Sequence, residues 1–171
     1  MSLKQSIRKL FFPNPIRKAR RLGVRIGENC RLVGKCTFGS EPYLISIGNH
    51  VSITNSTFVT HDGGVWVFRD EHPEIDVVAP IHIGNNVFIG SRSTILPGVT
   101  IGNNVVVGAG SIVSKSLPDN CVAAGIPAKV ISDIDSYQQK VMKKAESTKS
   151  LDKGQKKLFY INKFHNRSSK N

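Results

Sequence analysis

The sequence predicts an all-β solenoid, a three-sided coil of short parallel strands, and two periodic patterns predict it. Read at every sixth position, residues 81–113 give Ile83, Ile89, Ile95, Ile101, Val107 and Val113, with Gly following at 84, 90, 102 and 108. Four residues after the first five of these stand Val87, Ser93, Val99, Val105 and Ser111. A period of six fits neither an amphipathic helix nor an alternating strand, but it fits a chain that turns a corner after every short strand.

If three six-residue sides close one turn, residues eighteen apart stack, which places Ile83 under Ile101 and Ile89 under Val107. The position four later points inward beside a corner, where only small or β-branched side chains fit. Asn85-Asn86, Asn103-Asn104 and Pro97-Gly98 supply corners, because Asn and Gly tolerate positive φ and Pro presets a turn. In such a solenoid each coil is stabilised mainly by its neighbours.

Residues 1–22 read as a basic N-terminal segment: a helix from Lys4 to Phe12 with Ile7, Leu10 and Phe11 on one face, a break at Pro13-Asn14-Pro15, and a second basic turn through Arg21. Two uses fit it. It caps the open end of the coil, or it anchors peripherally, with Leu10, Phe11 and Phe12 in a lipid interface and Lys and Arg against anionic headgroups. The coil domain spans 23–130. Its register runs through Ile26, Leu32 and Phe38, slips between Gly39 and Ile47, and resumes at Ile47, Ile53 and Val59. The slip leaves Ser40 to Tyr43 as a bulge, a place where Glu41 and Tyr43 can be aimed outward.

Residues 61–80 form an excursion loop that leaves the repeat and holds the only Trp, Trp66, and two of the five His, His61 and His72. A loop of this length inside a compact fold is usually functional. Beyond Val113 the register fades at 115–118, and Val122 to Val130 form an extended exit. Residues 131–147 are expected to be a C-terminal helix with Ile134, Tyr137, Val141 and Met142 on one side. Residues 148–171 form a basic tail expected to be disordered.

The net charge of +12 divides unevenly. Residues 1–22 hold seven Lys/Arg and no acid, and residues 140–171 hold ten Lys/Arg and two acids, which leaves seven bases and ten acids on 23–139. The coil is therefore not a nucleic-acid surface, and the positive charge sits on the ends. No run reaches the ~18 apolar residues of a membrane span, and no signal-peptide pattern opens the chain, which argues for the cytoplasm. The basic ends would suit the inner membrane surface. Three cysteines fit no disulfide framework; Cys30 and Cys36 fall in the small inward slot and are expected to be buried thiols. No metal site is expected, because His50, His61, His72 and His82 are spaced by eleven, eleven and ten residues, with no close pair.

His61 is the leading chemical candidate. It directly follows a coil strand and precedes Asp62-Gly63-Gly64, whose flexibility lets a substrate approach. A neutral imidazole is a natural general base when a partner fixes its tautomer. Glu41 from the bulge is one such partner and Asp62 another, while a solvated loop histidine fits the residue alone equally well. His82 should face outward on a coil side and His50 should sit at a corner. His72 could reach a neighbouring subunit.

The block IGNNVFIGSRSTILPGVTIGNNVVVGAGSIVSKSLPDNCVAAGIPAKVI resembles the hexapeptide-repeat acyltransferases, specifically the acetyl-CoA O-acetyltransferases typified by galactoside and maltose acetyltransferases. The segments GSEPYLISIG and THDGGVWVFR look like the capsule and O-antigen polysaccharide branch. The resemblance covers residues 23 to about 135. It implies a left-handed parallel β-helix, a homotrimer with sites between adjacent prisms, and acetyl-CoA as co-substrate without a metal. It implies His61 as the catalytic histidine. Coenzyme A would lie along Phe88, Gly90, Ser91, Ala109, Gly110, Ser114, Lys115 and Lys129.

Tyr43, Asp62, Trp66 and Arg69 become candidates for binding a sugar or polysaccharide acceptor, the Trp66 ring suiting a pyranose face. Two departures stand out: galactoside acetyltransferases tend to carry Trp where Phe88 stands and Arg where Lys129 and Ser132 stand. Lys still pairs with a phosphate, without the two-pronged geometry of Arg. The mechanism implied is direct transfer. His61 deprotonates the acceptor hydroxyl as it attacks the thioester, and backbone N–H groups hold the oxyanion. An N-acetyltransferase of an amino sugar or small amine, and a non-catalytic trimeric binding module, are the alternatives.

Overall fold

A computed structural model describes residues 14–165. The expected helix from Lys4 to Phe12 lies outside them. The chain divides into two units, one ending at Tyr137 and one beginning at Gln138.

The first unit is a three-faced parallel coil. It is entered through α1 (Pro15–Arg21), whose start is set by Asn14: the Asn14 Oδ1 accepts from the Ile16 N–H at 2.9 Å, and Pro15 has no N–H to lose. One face stacks β1 (Arg25–Ile26), β3 (Ile45–Ile47), β6 (Ile81–Ile83) and β9 (Thr100–Ile101). The second stacks β2 (Arg31–Val33), β4 (Ser52–Thr54), β7 (Val87–Ile89), β10 (Val105–Val107) and β12 (Cys121–Gly125). The third stacks β5 (Thr57–Phe58), β8 (Thr94–Ile95) and β11 (Ile112–Val113), with Thr37 bridged to Thr57 beneath.

Ile83 pairs with Ile101 and Ile89 with Val107, the stacking that the period of six requires. The two irregular stretches change the phase in different ways. Ile45 pairs with Ile81, thirty-six positions on, but Phe58 pairs with Ile95, thirty-seven on: the corner before Thr57 is one residue short, so Phe58 rather than the expected Val59 takes the inward place, and the excursion loop restores the step by Ile81. Arg31 pairs with Ser52, twenty-one positions on, because the bulge at 40–44 adds three residues. The small inward slot is filled as expected: Val87, Ser93, Val99, Val105 and Ser111 are all buried. Ser93 satisfies its hydroxyl by donating to the carbonyls of Gly90 and Gly108, at 2.9 and 3.1 Å, and so stitches two coils together.

The corner between the first and second faces carries a ladder of side-chain acceptors. The backbone N–H groups of Glu28, Asn49, Asn85 and Asn103 donate to the Oδ1 atoms of Asn49, Asn85, Asn103 and Asp119, at 2.8, 2.8, 2.8 and 2.7 Å. The Asn103 N–H and side-chain amide hold the Asp119 carboxyl below the usual carboxylate range. Beside the ladder the coils almost touch: a Cβ on Gly84 would lie 2.6 Å from the Gly102 carbonyl oxygen.

Three expectations need correction. Cys30 and Cys36 are only half-buried, because the first coil has a neighbouring coil on one side only. The Cys30 thiol donates to the Gly48 carbonyl at 3.1 Å, and burial pushes the Cys36 thiol up. The expected helix over 131–147 is shorter. Strand β13 (Ala128–Asp133) runs back antiparallel on β12, pairing Ser132 and Asp133 there with Ile131 at a shift of register, so α2 (Ile134–Met142) begins only beyond it. The tail expected to be disordered holds α3 (Lys153–His165). Asp152 and Gln155 cap it reciprocally, at 2.9 and 3.1 Å, which the abundance of lysine concealed. Within this second unit, Lys163 pairs with Glu146, and the Phe159, Tyr160 and Phe164 rings pack on one another.

The close approach at the glycine corner is directly testable. Gly84→Ala should destabilise the coil by about 1–3 kcal/mol, since the added methyl pushes two backbones apart. Gly63→Ala, where nothing lies within 4 Å of the new Cβ, should leave the thermal midpoint unchanged. Equal melting of the two variants would show that the corner has slack.

Candidate active site at the foot of the excursion loop

The strand that ends the third face of the second coil does not stop at Phe58. The Val59 N–H donates to the Ile95 carbonyl at 2.9 Å, so the chain is still stacked on the coil above when it reaches Thr60. There it meets the returning end of its own loop. The Ala79 N–H donates to the Thr60 carbonyl at 2.9 Å, the Asp62 N–H donates to the Val77 carbonyl at 2.8 Å, and His61 bridges Val78 antiparallel. The neck of the loop is thereby closed, and His61 is held at its foot by backbone pairing on both flanks.

The imidazole opens on a groove of about 510 Å³, with Asp62 beside it and Leu96, Pro97 and Ser114 contributed by the two coils above. Its Nδ1 lies 3.4 Å from the Glu41 Oε2 and makes no other contact with a polar partner among the described residues. The Glu41 side chain is 18% exposed and the ring 37%. Of the two acids that the sequence left open as partners, Glu41 faces the ring nitrogen. The Asp62 carboxylate is engaged elsewhere: it caps the 3₁₀ turn Gly63–Phe68 by accepting from the Gly64 N–H at 2.9 Å. The Glu41 carboxylate in turn accepts from the Thr60 hydroxyl at 2.6 Å. The bulge therefore delivers Glu41 to the loop's foot, as its irregular register suggested.

The other acceptor-side candidates stand apart from this groove. Tyr43 is exposed on the 3₁₀ turn Pro42–Leu44, with its Cβ packed over Gly23. Trp66 is 78% exposed on the outer part of the loop. Arg69 ties the loop internally, donating to the Pro73 carbonyl at 2.8 Å. Neither His82 nor His50 is near: His82 faces outward and bonds to the Ser46 hydroxyl at 2.7 Å, and His50 sits at a corner against Asn86 at 2.9 Å.

The eight coenzyme candidates fall into separate groups. Gly90, Ser91, Ala109 and Gly110 stack at the corner between the second and third faces, where the Gly110 N–H donates to the Ser91 carbonyl at 2.8 Å. Phe88 points outward from β7 and is 41% exposed. Ser114 and Lys115 lie on the opposite edge of the third face, and Ser114 shares the groove with His61. Lys129 is exposed on β13, opposite Ala124. Sequence reasoning passed over Thr60, Leu96 and Pro97. Thr60 reads as an ordinary strand residue, and Leu96-Pro97 as a corner, so only their adjacency to His61 and one coil's stacking above it could have pointed to them.

The model of the hexapeptide repeat of succinyl-transferase matches residues 80–115. Protein CapG of Staphylococcus aureus is 59% identical over 150 residues, covering 86% of this chain and 87% of CapG. Among solved structures, a galactoside acetyltransferase in complex with coenzyme A shares 33% identity and a TM-score of 0.56, covering 75% of this chain and 76% of that one. A maltose O-acetyltransferase from Clostridium difficile 630 shares 38% identity and a TM-score of 0.56, over 66% of this chain and 59% of that enzyme. These neighbours are left-handed β-helices, the hand that the resemblance implied. With extended identity to CapG, a coil that superposes on solved acetyltransferases and a matching repeat, this chain belongs to the hexapeptide-repeat acetyltransferase family.

Proposed function

We propose that the chain is an acetyl-CoA-dependent O-acetyltransferase acting on a hydroxyl of a sugar or polysaccharide precursor of the capsule or O-antigen type. The observation that carries the reading is the imidazole of His61 at the mouth of a groove, backed on Nδ1 by a mostly buried carboxylate. The family membership and the sugar O-acetyltransferases among its neighbours supply the reaction class.

In this reading the Glu41 carboxylate favours the tautomer with the proton on Nδ1, which leaves the Nε2 lone pair to take the proton from the acceptor hydroxyl. The oxygen forms a bond to the thioester carbonyl carbon, the tetrahedral adduct collapses with loss of the C–S bond, and the imidazolium returns its proton to the departing thiolate. Acetyl ester and free coenzyme A leave, and no side chain is acylated. Ser114 shares the groove with His61; Gly90, Ser91, Ala109 and Gly110 line the corner at the other side of the third face, and Phe88 and Lys129 stand outside both.

The split of those candidates between two edges of one prism supports a homotrimer, in which an edge of one copy packs beside an edge of the next. A further partner is supported by the second unit. Helix α3 carries Lys153, Lys156 and Lys157 without an acid, and exposes Leu158 at 61% and Phe164 at 57%. Apolar side chains among lysines suit a peripheral contact with an anionic membrane. Among the described residues no helix is long and apolar enough to cross one.

Three measurements follow. His61→Ala should lower kcat by at least ~100-fold in a thiol-release assay with acetyl-CoA and nucleotide-sugar or oligosaccharide acceptors, while coenzyme A still raises the thermal midpoint. A variant that keeps most of its turnover removes His61 from the mechanism, and turnover confined to amines changes the acceptor class. Light scattering should give three times the chain mass; a monomer that turns over acetyl-CoA rejects the shared-edge site. Vesicles containing phosphatidylglycerol should retain the protein at low salt and release it as ionic strength rises, and Leu158→Asp should weaken retention. Equal binding to neutral vesicles, or none, rejects the membrane contact.

A further inference from the structure

We infer that Thr60 is a positioning residue for the transfer reaction: its hydroxyl keeps the Glu41 carboxylate facing the His61 Nδ1, so that the charge of the carboxylate biases the tautomer and orientation of the imidazole. The inference rests on the reading of His61 as the base and assigns a task to a residue next to it. Thr60 is wholly buried, so its hydroxyl has no water to bond. Both of its contacts are with one residue. It donates to the Glu41 Oε2 at 2.6 Å and accepts from the Glu41 backbone N–H at 3.4 Å. One hydroxyl thus grips Glu41 at the backbone and at the tip of the side chain, which leaves that side chain little freedom about its torsions.

The gripped atom is the one that matters. The same Oε2 is 3.4 Å from the His61 Nδ1, too long for a strong N–H to carboxylate hydrogen bond. The histidine therefore does not hold the carboxylate in place. Among the described residues the Thr60 hydroxyl makes the one hydrogen bond to that carboxylate. Without it the carboxylate is free to turn away, and the buried Nδ1, which has no hydrogen-bond partner among the described residues, loses the one anion that faces it. An imidazole with no anion facing Nδ1 loses its tautomer preference and rocks, and both changes take the Nε2 lone pair off the acceptor.

The neighbouring backbone is arranged around this hydroxyl. At Gly39, φ is +63°, and a Cβ there would lie 2.7 Å from the Thr60 Oγ1. The chain thus passes the hydroxyl where a side chain would displace it. With the clamp in place, the anion already stands at a set distance when the imidazole takes up its proton, so little reorganisation is needed at that moment.

The test is a double-mutant cycle on the full-length protein, with Thr60→Val, Thr60→Ser, Glu41→Gln and the Thr60→Val/Glu41→Gln pair. Valine keeps the shape and deletes the hydroxyl. We expect Thr60→Val to lower kcat about 10-fold or more with the KM for acetyl-CoA unchanged, and Thr60→Ser to restore most of the loss. In the Glu41→Gln background the valine should cost nothing further, because its effect runs through Glu41. Thermal unfolding of each variant checks that it folds, and Thr60→Ala replaces valine in the cycle if valine does not. A folded Thr60→Val with full kcat overturns the inference. So does a serine variant as impaired as valine, or an equal cost of valine in both backgrounds. Each of these outcomes leaves the base reading intact as long as His61→Ala is inactive, whereas an active His61→Ala overturns the base reading itself.

Discussion

Between one coil and the next, at the corner after the first face, there is no room for a side chain. The backbones at Gly84 and Gly102 run so close that a single methyl would collide with a carbonyl oxygen. Beside that gap the following residue lends its amide oxygen to the N–H of the coil below. Close approach and acceptor ladder require each other: the side chain reaches the neighbouring backbone because the glycine before it lets the coils settle together. From this corner the spacing of the other two faces follows. Isoleucine stacks on isoleucine, the small slot is left only wide enough for Val or Ser, and the third face presents strands of two residues.

That constraint explains what could be read in the sequence. Any stretch that obeys the corner repeats with a period of six, and the pairs Ile83 with Ile101 and Ile89 with Val107 could be named before any coordinates. Where the rule is suspended, the reading loses its footing in proportion. Cys30 has the slot position but stands on the first coil, where one side has no coil to bury it. Ile131 continues an apolar spacing that suits a helix with Ile134, yet β12 offers residues 131–133 an unfilled edge and they take it as a strand. The helix beginning at Lys153 was concealed by its charge. Composition suggested a solvated tail, while a local cap at Asp152 and a cluster of aromatic rings are contact-level facts that composition does not carry.

The site was legible to the extent that it sits on interruptions of the repeat. His61 and Glu41 stood out because each lies at a break, one at the foot of the loop and one in the bulge, and the structure sets them face to face. Thr60 was invisible for the converse reason: it still obeys the coil, is buried like any strand residue, and reveals its hydroxyl only through two distances. The coenzyme positions came from resemblance, and six of the eight divide between two edges of one prism, with Phe88 on a face and Lys129 on β13. A single chain's sequence does not state which edges meet, since that depends on how copies assemble.

The acceptor ladder has a direction, and its last rung differs from the others. Four backbone amides are received in turn by three asparagines and then by Asp119. An asparagine is bilingual, giving and taking, so it can sit between two storeys of the stack. An aspartate only takes. Its anion gathers the terminal N–H and amide groups of Asn103 and has nothing to offer a storey above it. The row thus closes on an anion where β12 and β13 turn the chain away, while the neighbouring row of Asn86, Asn104 and Asn120 closes at the same storey on an amide.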